Sequence, residues 1–179
     1  ILFSPHPDDD VISMGGTFSK LIKQGHEVHV VYQTSGNIAV TDDEALKFAE
    51  VCNDFVGEDE SKINFQSVID FLNNKSEDQV DSLEVRKLKG LIRRRESYAA
   101  VRYIGLKDEN THFLDMPFYE TGQVKKNPIG EADIELVADI IAKIKPHQVF
   151  AAGDLADPHG THEVCLNAIF AALKKLKSK

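Results

Sequence analysis

Short apolar runs alternate with longer segments of helical period along this chain. Ile1 to Ser4, Glu27 to Thr34, Thr111 to Asp115 and His147 to Gly153 read as strands. Between them lie helices. Val11 to Gln24 stops at Gly25, and "TDDE" (Thr41 to Glu44) is a capping box that opens a helix to about Val56. Asn64 to Leu72 follows. A second box, "DSLE" (Asp81 to Glu84), opens a long helix to about Ile104, closed by Gly105. Ile134, Val137, Ala138, Ile141 and Ile144 recur at helical spacing until Pro146, and "HEVCLNAIFAALKKLK" is the last helix. This alternation predicts an α/β fold, a Rossmann-like three-layer sandwich with a mostly parallel sheet and right-handed crossovers. Ligands of such sheets bind beyond the carboxyl ends of the strands, where the strand order reverses. That rule singles out residues 5 to 10, 35 to 40 and 153 to 162.

The 179 residues fit one domain, and a net charge of −8 argues against a nucleic-acid or anionic-membrane partner. No apolar run approaches the length of a membrane span and no signal peptide is apparent, so the expected location is cytoplasmic. Cys52 and Cys165 stand far apart in sequence, outside any C-x-x-C, and read as reduced thiols. The chain opens inside an apolar run without an initiator Met, which points to a domain excised from a longer protein.

Two constellations carry chemistry. "HPDDD" (His6 to Asp10) ends the first strand; imidazole and carboxylate together suit a divalent metal such as zinc. A helix N-terminus would favour one of these aspartates through its dipole, and Asp10 is assigned that part. "DLADPHGTH" (Asp154 to His162) ends the last strand and supplies His159 and His162. Three ligands from two loops, with a fourth position open, is the layout of a catalytic zinc site. A third feature is "RRRE" (Arg93 to Glu96): two of its arginines are expected on solvated helix surface and one in the site. His26, His29, His112 and His147 read as structural or exposed. Gly15 and Gly16 lie inside a helix rather than before it, so they are assigned to close helix–sheet packing and not to a dinucleotide loop.

The blocks "SPHPDDDVISMGGT", "RRRESYAAVRYIGL", "THFLDMP" and "DPHGTHEVC" resemble the LmbE-like zinc deacetylases, which include the N-acetylglucosaminyl-phosphatidylinositol de-N-acetylases. More narrowly, the chain resembles the LmbE-like domain that follows a glucosamine-6-phosphate deaminase-like domain in some bacterial proteins. The resemblance implies His6, Asp9 and His162 as ligands of zinc or another divalent metal. It implies Asp8 as general base, His159 as the residue that steadies the tetrahedral intermediate or protonates the leaving amine, and Arg93 near the substrate. Two departures stand out. "HGTH" puts Thr161 where the family usually has an aspartate, a part that Asp157 is placed to take. The stretch from Asn37 to Arg93 is also longer than the family's, so 41–92 reads as a helical insertion that covers the site or meets a second copy.

The implied reaction is hydrolysis of the acetamide of an N-acetylated amino sugar, N-acetylglucosamine or its phosphate or conjugate. The implied partners are a small amino sugar or sugar phosphate, a second copy of the chain and a fused sugar-phosphate deaminase domain. The first rival is a non-catalytic sugar- or sugar-phosphate-sensing domain, which Thr161 keeps open. The second is a nucleotide-binding α/β domain, which the missing G-x-G-x-x-G fingerprint disfavours.

Overall fold

The structure is a computed structural model in which residues 1–56, 65–154 and 156–178 are described. Asn64, the expected start of one helix, lies outside them, as does Leu155 of the "DLADPHGTH" loop. Four strands, β1 (Leu2–Ser4), β2 (Val30–Tyr32), β3 (Thr111–Phe113) and β4 (Phe150–Ala151), form one all-parallel sheet in the order β3-β2-β1-β4. The order reverses between β1 and β4. A crevice therefore opens at the carboxyl ends of those two strands.

The helices are α1 (Asp9–Lys23), α2 (Asp42–Val56), α3 (Phe65–Asn74), α4 (Leu83–Tyr103), α5 (Glu131–Ile144) and α6 (Thr161–Lys177). The period-2 geometry of the strands sorts their side chains into two cores. Ile1, Phe3 and Val31 pack with Val137, Ile141, Cys165 and Ile169 of α5 and α6. Leu2, Val30 and Tyr32 point the other way and pack with Phe18 of α1 and Val101 of α4. The result is the expected three-layer sandwich, with strands shorter than the sequence suggests. Burying both faces of β1 and β2 requires near-continuous apolar residues, and the chain supplies Leu2 and Phe3 in β1 and Val30, Val31 and Tyr32 in β2.

The segment 41–92 builds a third cluster of its own, in which Ala45 and Ala49 of α2 meet Val68, Ile69 and Leu72 of α3 and Val85 and Ile92 of α4. Four charges lock it to the entrance of α4. Lys89 Nζ donates to Asp42 (2.5 Å) and Asp81 (2.7 Å), and Lys75 Nζ donates to the same two carboxylates. Asp81 is therefore not the cap expected from "DSLE". Ser82 is the N-cap, its Oγ accepting from the Val85 N–H at 3.3 Å. The lysine pair competes for Asp81 more strongly than a helix end can. Gly15 and Gly16 also depart from expectation: a Cβ on Gly15 would meet Val11 at an ordinary 3.7 Å, and one on Gly16 would meet nothing within 4 Å. Helix–sheet packing does not require either glycine. His29 and His112 stack on one another across β2 and β3, with ring nitrogens 3.1 Å apart.

Phe18 is fully buried between α1 and the sheet. Phe18→Ala is expected to lower stability by about 3–5 kcal/mol. Urea unfolding should show this as a lower midpoint at unchanged slope.

Candidate metal centre

The turn after β1 is held in place before any ligand is considered. Ser4 Oγ donates to the His6 carbonyl (2.6 Å) and accepts from the Asp10 N–H (2.9 Å), closing the turn into the start of α1. Thr34, beyond β2, gives both its N–H and its hydroxyl to the Pro5 carbonyl. Gly36 sits in the left-handed region (φ 65°), and a Cβ there would fall 2.7 Å from Pro7 Cδ, so only glycine lets the second loop close over the first.

Three donor atoms meet at the crevice between β1 and β4. His6 Nδ1 lies 3.2 Å from Asp9 Oδ2 and 3.2 Å from His162 Nε2, and the latter two are also 3.2 Å apart. Among the described residues, these three form the group whose geometry can hold a metal ion. Two imidazole nitrogens and a carboxylate oxygen all present lone pairs to one point. One proton can settle only one edge of that triangle, whereas one cation settles all three. Tetrahedral coordination with bonds of about 2.0–2.1 Å separates neighbouring ligand atoms by about 3.3–3.4 Å, so the donor set fits a small divalent ion. His162 Nδ1 is buried without a partner. The usual anchoring bond on the far nitrogen of a metal-bound histidine is thus missing among the described residues.

Asp9 and its neighbours separate into different environments. Asp9 is buried against the histidines. Desolvation pushes its pKa up, but the His6 side chain, the His6 N–H and the two imidazoles pull it below the ordinary carboxylate range. Asp8 precedes α1 without a side-chain capping bond, is exposed, and pairs with Arg93 Nη2 at 2.9 Å. Asp10 lies in the first turn of α1, as expected, but it does more than face the helix dipole. It is fully buried, accepts a hydrogen bond from the Tyr32 hydroxyl (2.9 Å), and its pKa is raised by that burial. No sequence signal separates it from Asp8, because its position depends on which side of α1 meets Tyr32.

The second loop is built on Asp157. Its two oxygens accept the N–H groups of His159 (3.1 Å) and His162 (3.2 Å), fixing the entrance of α6. Desolvation raises its pKa, while those N–H groups and the two imidazoles bring it net below the usual value. His159 is exposed beside the cluster and is not one of the three converging donors. Asp157 holds its backbone, not its ring. Thr161 is buried at the first position of α6.

Arg93 reaches the site through the protein. Its terminal nitrogens donate to Asp8, to the Pro7 carbonyl and to Glu96. Arg94 does not lie on a free helix surface as expected for two of the three arginines. It pairs with Asp115 at 2.6 Å and stacks over Phe113. Arg95 is exposed and packs on Tyr98. The loop after β3, unmarked in the sequence beyond "THFLDMP", forms a further wall. Tyr119 sets its ring against His6 at 5.7 Å between centroids, and Glu120 accepts bonds from Ser35 and Asn37.

Two outcomes test this geometry. Metal analysis of the purified protein should find about one divalent ion per chain, lost in His6→Ala and in His162→Ala. Asp157→Ala should cost about 1–3 kcal/mol at pH 7 through loss of the bonds from the His159 and His162 N–H groups. Because the folded pKa of Asp157 is depressed, its contribution is complete above the unfolded carboxylate pKa and fades as pH falls through the folded one. Urea titrations of wild type and variant should therefore converge in acid.

The comparisons with known proteins agree with this architecture. The family model described as GlcNAc-PI de-N-acetylase (PIG-L) matches residues 1–173. A protein of Bacteroides thetaiotaomicron, named putative glucosamine-6-phosphate deaminase-like protein, is 51% identical over 97% of the chain. The chain spans 27% of that relative's length. No described helix is long and apolar enough to cross a membrane. With four parallel strands, a histidine–aspartate–histidine cluster at the switch point and a family match along nearly its whole length, the chain belongs to the PIG-L (LmbE-like) family of deacetylase-type hydrolases, which are typically metal-dependent.

Proposed function

We propose that this chain is a zinc-dependent amide hydrolase that removes the acetyl group from an N-acetylated amino sugar, N-acetylglucosamine or a phosphate or conjugate of it. The observation that carries the reading is the triangle of His6 Nδ1, Asp9 Oδ2 and His162 Nε2, with Asp8 the residue next to Asp9 and its carboxylate held by Arg93. The name of the Bacteroides relative, putative glucosamine-6-phosphate deaminase-like protein, is in keeping with amino-sugar chemistry.

In this reading His6, Asp9 and His162 hold the ion. When bound, it supplies Lewis acidity, making a water acidic and drawing electron density from a carbonyl. Asp8 takes the proton of the attacking water, whose oxygen adds to the acetyl carbon. Arg93 holds and aims the Asp8 carboxylate, so here it is a positioning residue that reaches substrate through Asp8. His159 donates to the carbonyl oxygen as negative charge collects there. A proton passes to nitrogen, the C–N bond breaks, and acetate and a free amine leave.

One observation favours a second reading. Asp157 spends its oxygens on backbone N–H groups, so nothing among the described residues orients the His159 ring as an aspartate at position 161 would. A sensing domain that holds metal and sugar without turnover fits that feature.

Acetate release from N-acetylglucosamine and from its 6-phosphate, with and without added zinc, separates the two. Metal-dependent release is expected. Metal-loaded protein that turns over no N-acetyl sugar would favour the sensor. Asp8→Ala should keep the metal and lose about 10²–10⁴-fold in kcat; loss of metal instead would reassign Asp8 as a ligand.

A further inference from the structure

The loop from Met116 to Asn127 is tied down at both ends. The Asn127 N–H donates to the Phe118 carbonyl, and Asp133 on α5 accepts the Phe118 and Gly130 N–H groups. Within it, Thr121 Oγ1 donates to the carbonyls of Gln123 and Lys125. This frame presents Lys126 in an unusual state. Its ammonium lies 3.8 Å from the centre of the Tyr119 ring and donates to the Gln123 carbonyl at 2.7 Å. The same tyrosine packs against His6.

Lys126 forms no ion pair among the described residues. Several other half-buried cations of this acidic chain are neutralised, Lys75 and Lys89 by Asp42 and Asp81, Arg93 by Asp8 and Arg94 by Asp115, while Arg86 is given to the Glu120 backbone carbonyl. Glu120, the carboxylate whose charge acts on Lys126, already has its two oxygens bound by Ser35 (2.6 Å) and Asn37 (3.0 Å). Burial pushes the Lys126 pKa down to about 8, against the pull of Glu120. A cation that is partly desolvated, rigidly placed and left without a counter-ion is poised for an anion from outside the protein. An aromatic face alone satisfies only part of its charge.

We infer that Lys126 is a specificity-determining residue of the site, receiving an anionic group, phosphate or carboxylate, carried by the amino sugar whose acetamide lies at the His6 cluster. The inference rests on the proposed hydrolase reading and narrows its substrate to a charged sugar. Two ring contacts separate the ammonium from His6, a reach suited to a single hexose bearing a charged substituent. Lys126 is a substrate contact and takes no part in bond breaking.

Calorimetric binding tests this without relying on turnover. The ligands are glucosamine, glucosamine 6-phosphate and muramic acid, titrated into metal-loaded wild type, Lys126→Gln and Lys126→Arg. At least one anionic sugar is expected to bind about tenfold or more tightly than glucosamine in wild type. Lys126→Gln should remove most of that ratio and Lys126→Arg should keep most of it. The stronger of the two anions tells phosphate from carboxylate. A ratio near one in wild type, or a ratio unchanged in Lys126→Gln, overturns the inference. If Lys126 sets the ratio but no N-acetyl sugar releases acetate, the hydrolase reading fails and the anion site stands. Acetate release from neutral sugar with a ratio near one fails the anion site alone.

Discussion

The structure depends on one unfavourable meeting. Three acceptor atoms from positions 6, 9 and 162 are pressed to 3.2 Å from one another. A proton settles only one edge of that triangle at a time, so these side chains alone do not hold the two loops together. The protein holds them with neutral, short-range restraints placed around the acceptors. Ser4 and Thr34 hold the first loop from beneath, Gly36 lets a neighbouring loop press on Pro7, and Asp157 fixes the second loop through the backbone. The strands transmit the restraint. Leu2 and Phe3 of β1 are in register with Phe150 and Ala151 of β4, so loops 156 residues apart leave the sheet side by side. The cost of assembling the donors is met during folding, and a cation arriving later finds the ligands already positioned.

The same turn gives three consecutive aspartates three environments. Helical geometry rotates successive side chains by about 100°, so at the start of α1 they cannot share a direction. Asp9 turns toward the histidines, Asp10 toward Tyr32 beneath the helix, and Asp8 stays outside with Arg93. Desolvation raises the pKa of Asp10, while hydrogen bonds and imidazole charge lower that of Asp9. Placing carboxylates of opposite tendency one residue apart is how a single short segment can hold a cation on one side and support a buried hydroxyl on the other.

What could be read from the sequence is what local chemistry controls. The alternation of strand and helix is written in period and β-branching, and the donor types are written at the strand ends in "HPDDD" and "HGTH", whereas the choice of Asp9 over Asp8 and of His162 over His159 comes from the family resemblance. Two departures share a cause. Asp81 looked like a cap until Lys75 and Lys89 arrived from other segments, and Arg94 looked solvated until Asp115 arrived from β3's exit. Arg93 stands apart from these: its contact with Asp8 at the first loop depends on how α4 crosses that loop. Gly15 and Gly16 meet nothing that close packing would need glycine for. For Asp81 and Arg94 a long-range partner, invisible in one dimension, decides the role.

That distinction bears on where selectivity resides in such a fold. The loops that bring His6, Asp9 and His162 together follow the two strands at the switch point, and their geometry is constrained by that convergence. The wall from Met116 to Asn127 carries no such constraint. It is anchored on α5 through Asp133 and closed by its own hydrogen bonds, so its exposed side chains can change without moving His6 or His162. Tyr119 is the point of contact between the two systems: one side of its surroundings is a ligand imidazole and the other is an ammonium. A residue in that position couples a conserved type of chemistry to a variable type of recognition, because any shift of the wall is felt at His6 only through that ring. Substrate choice can therefore be altered on the loop after β3 while the machinery for the bond-breaking step stays fixed on the loops after β1 and β4.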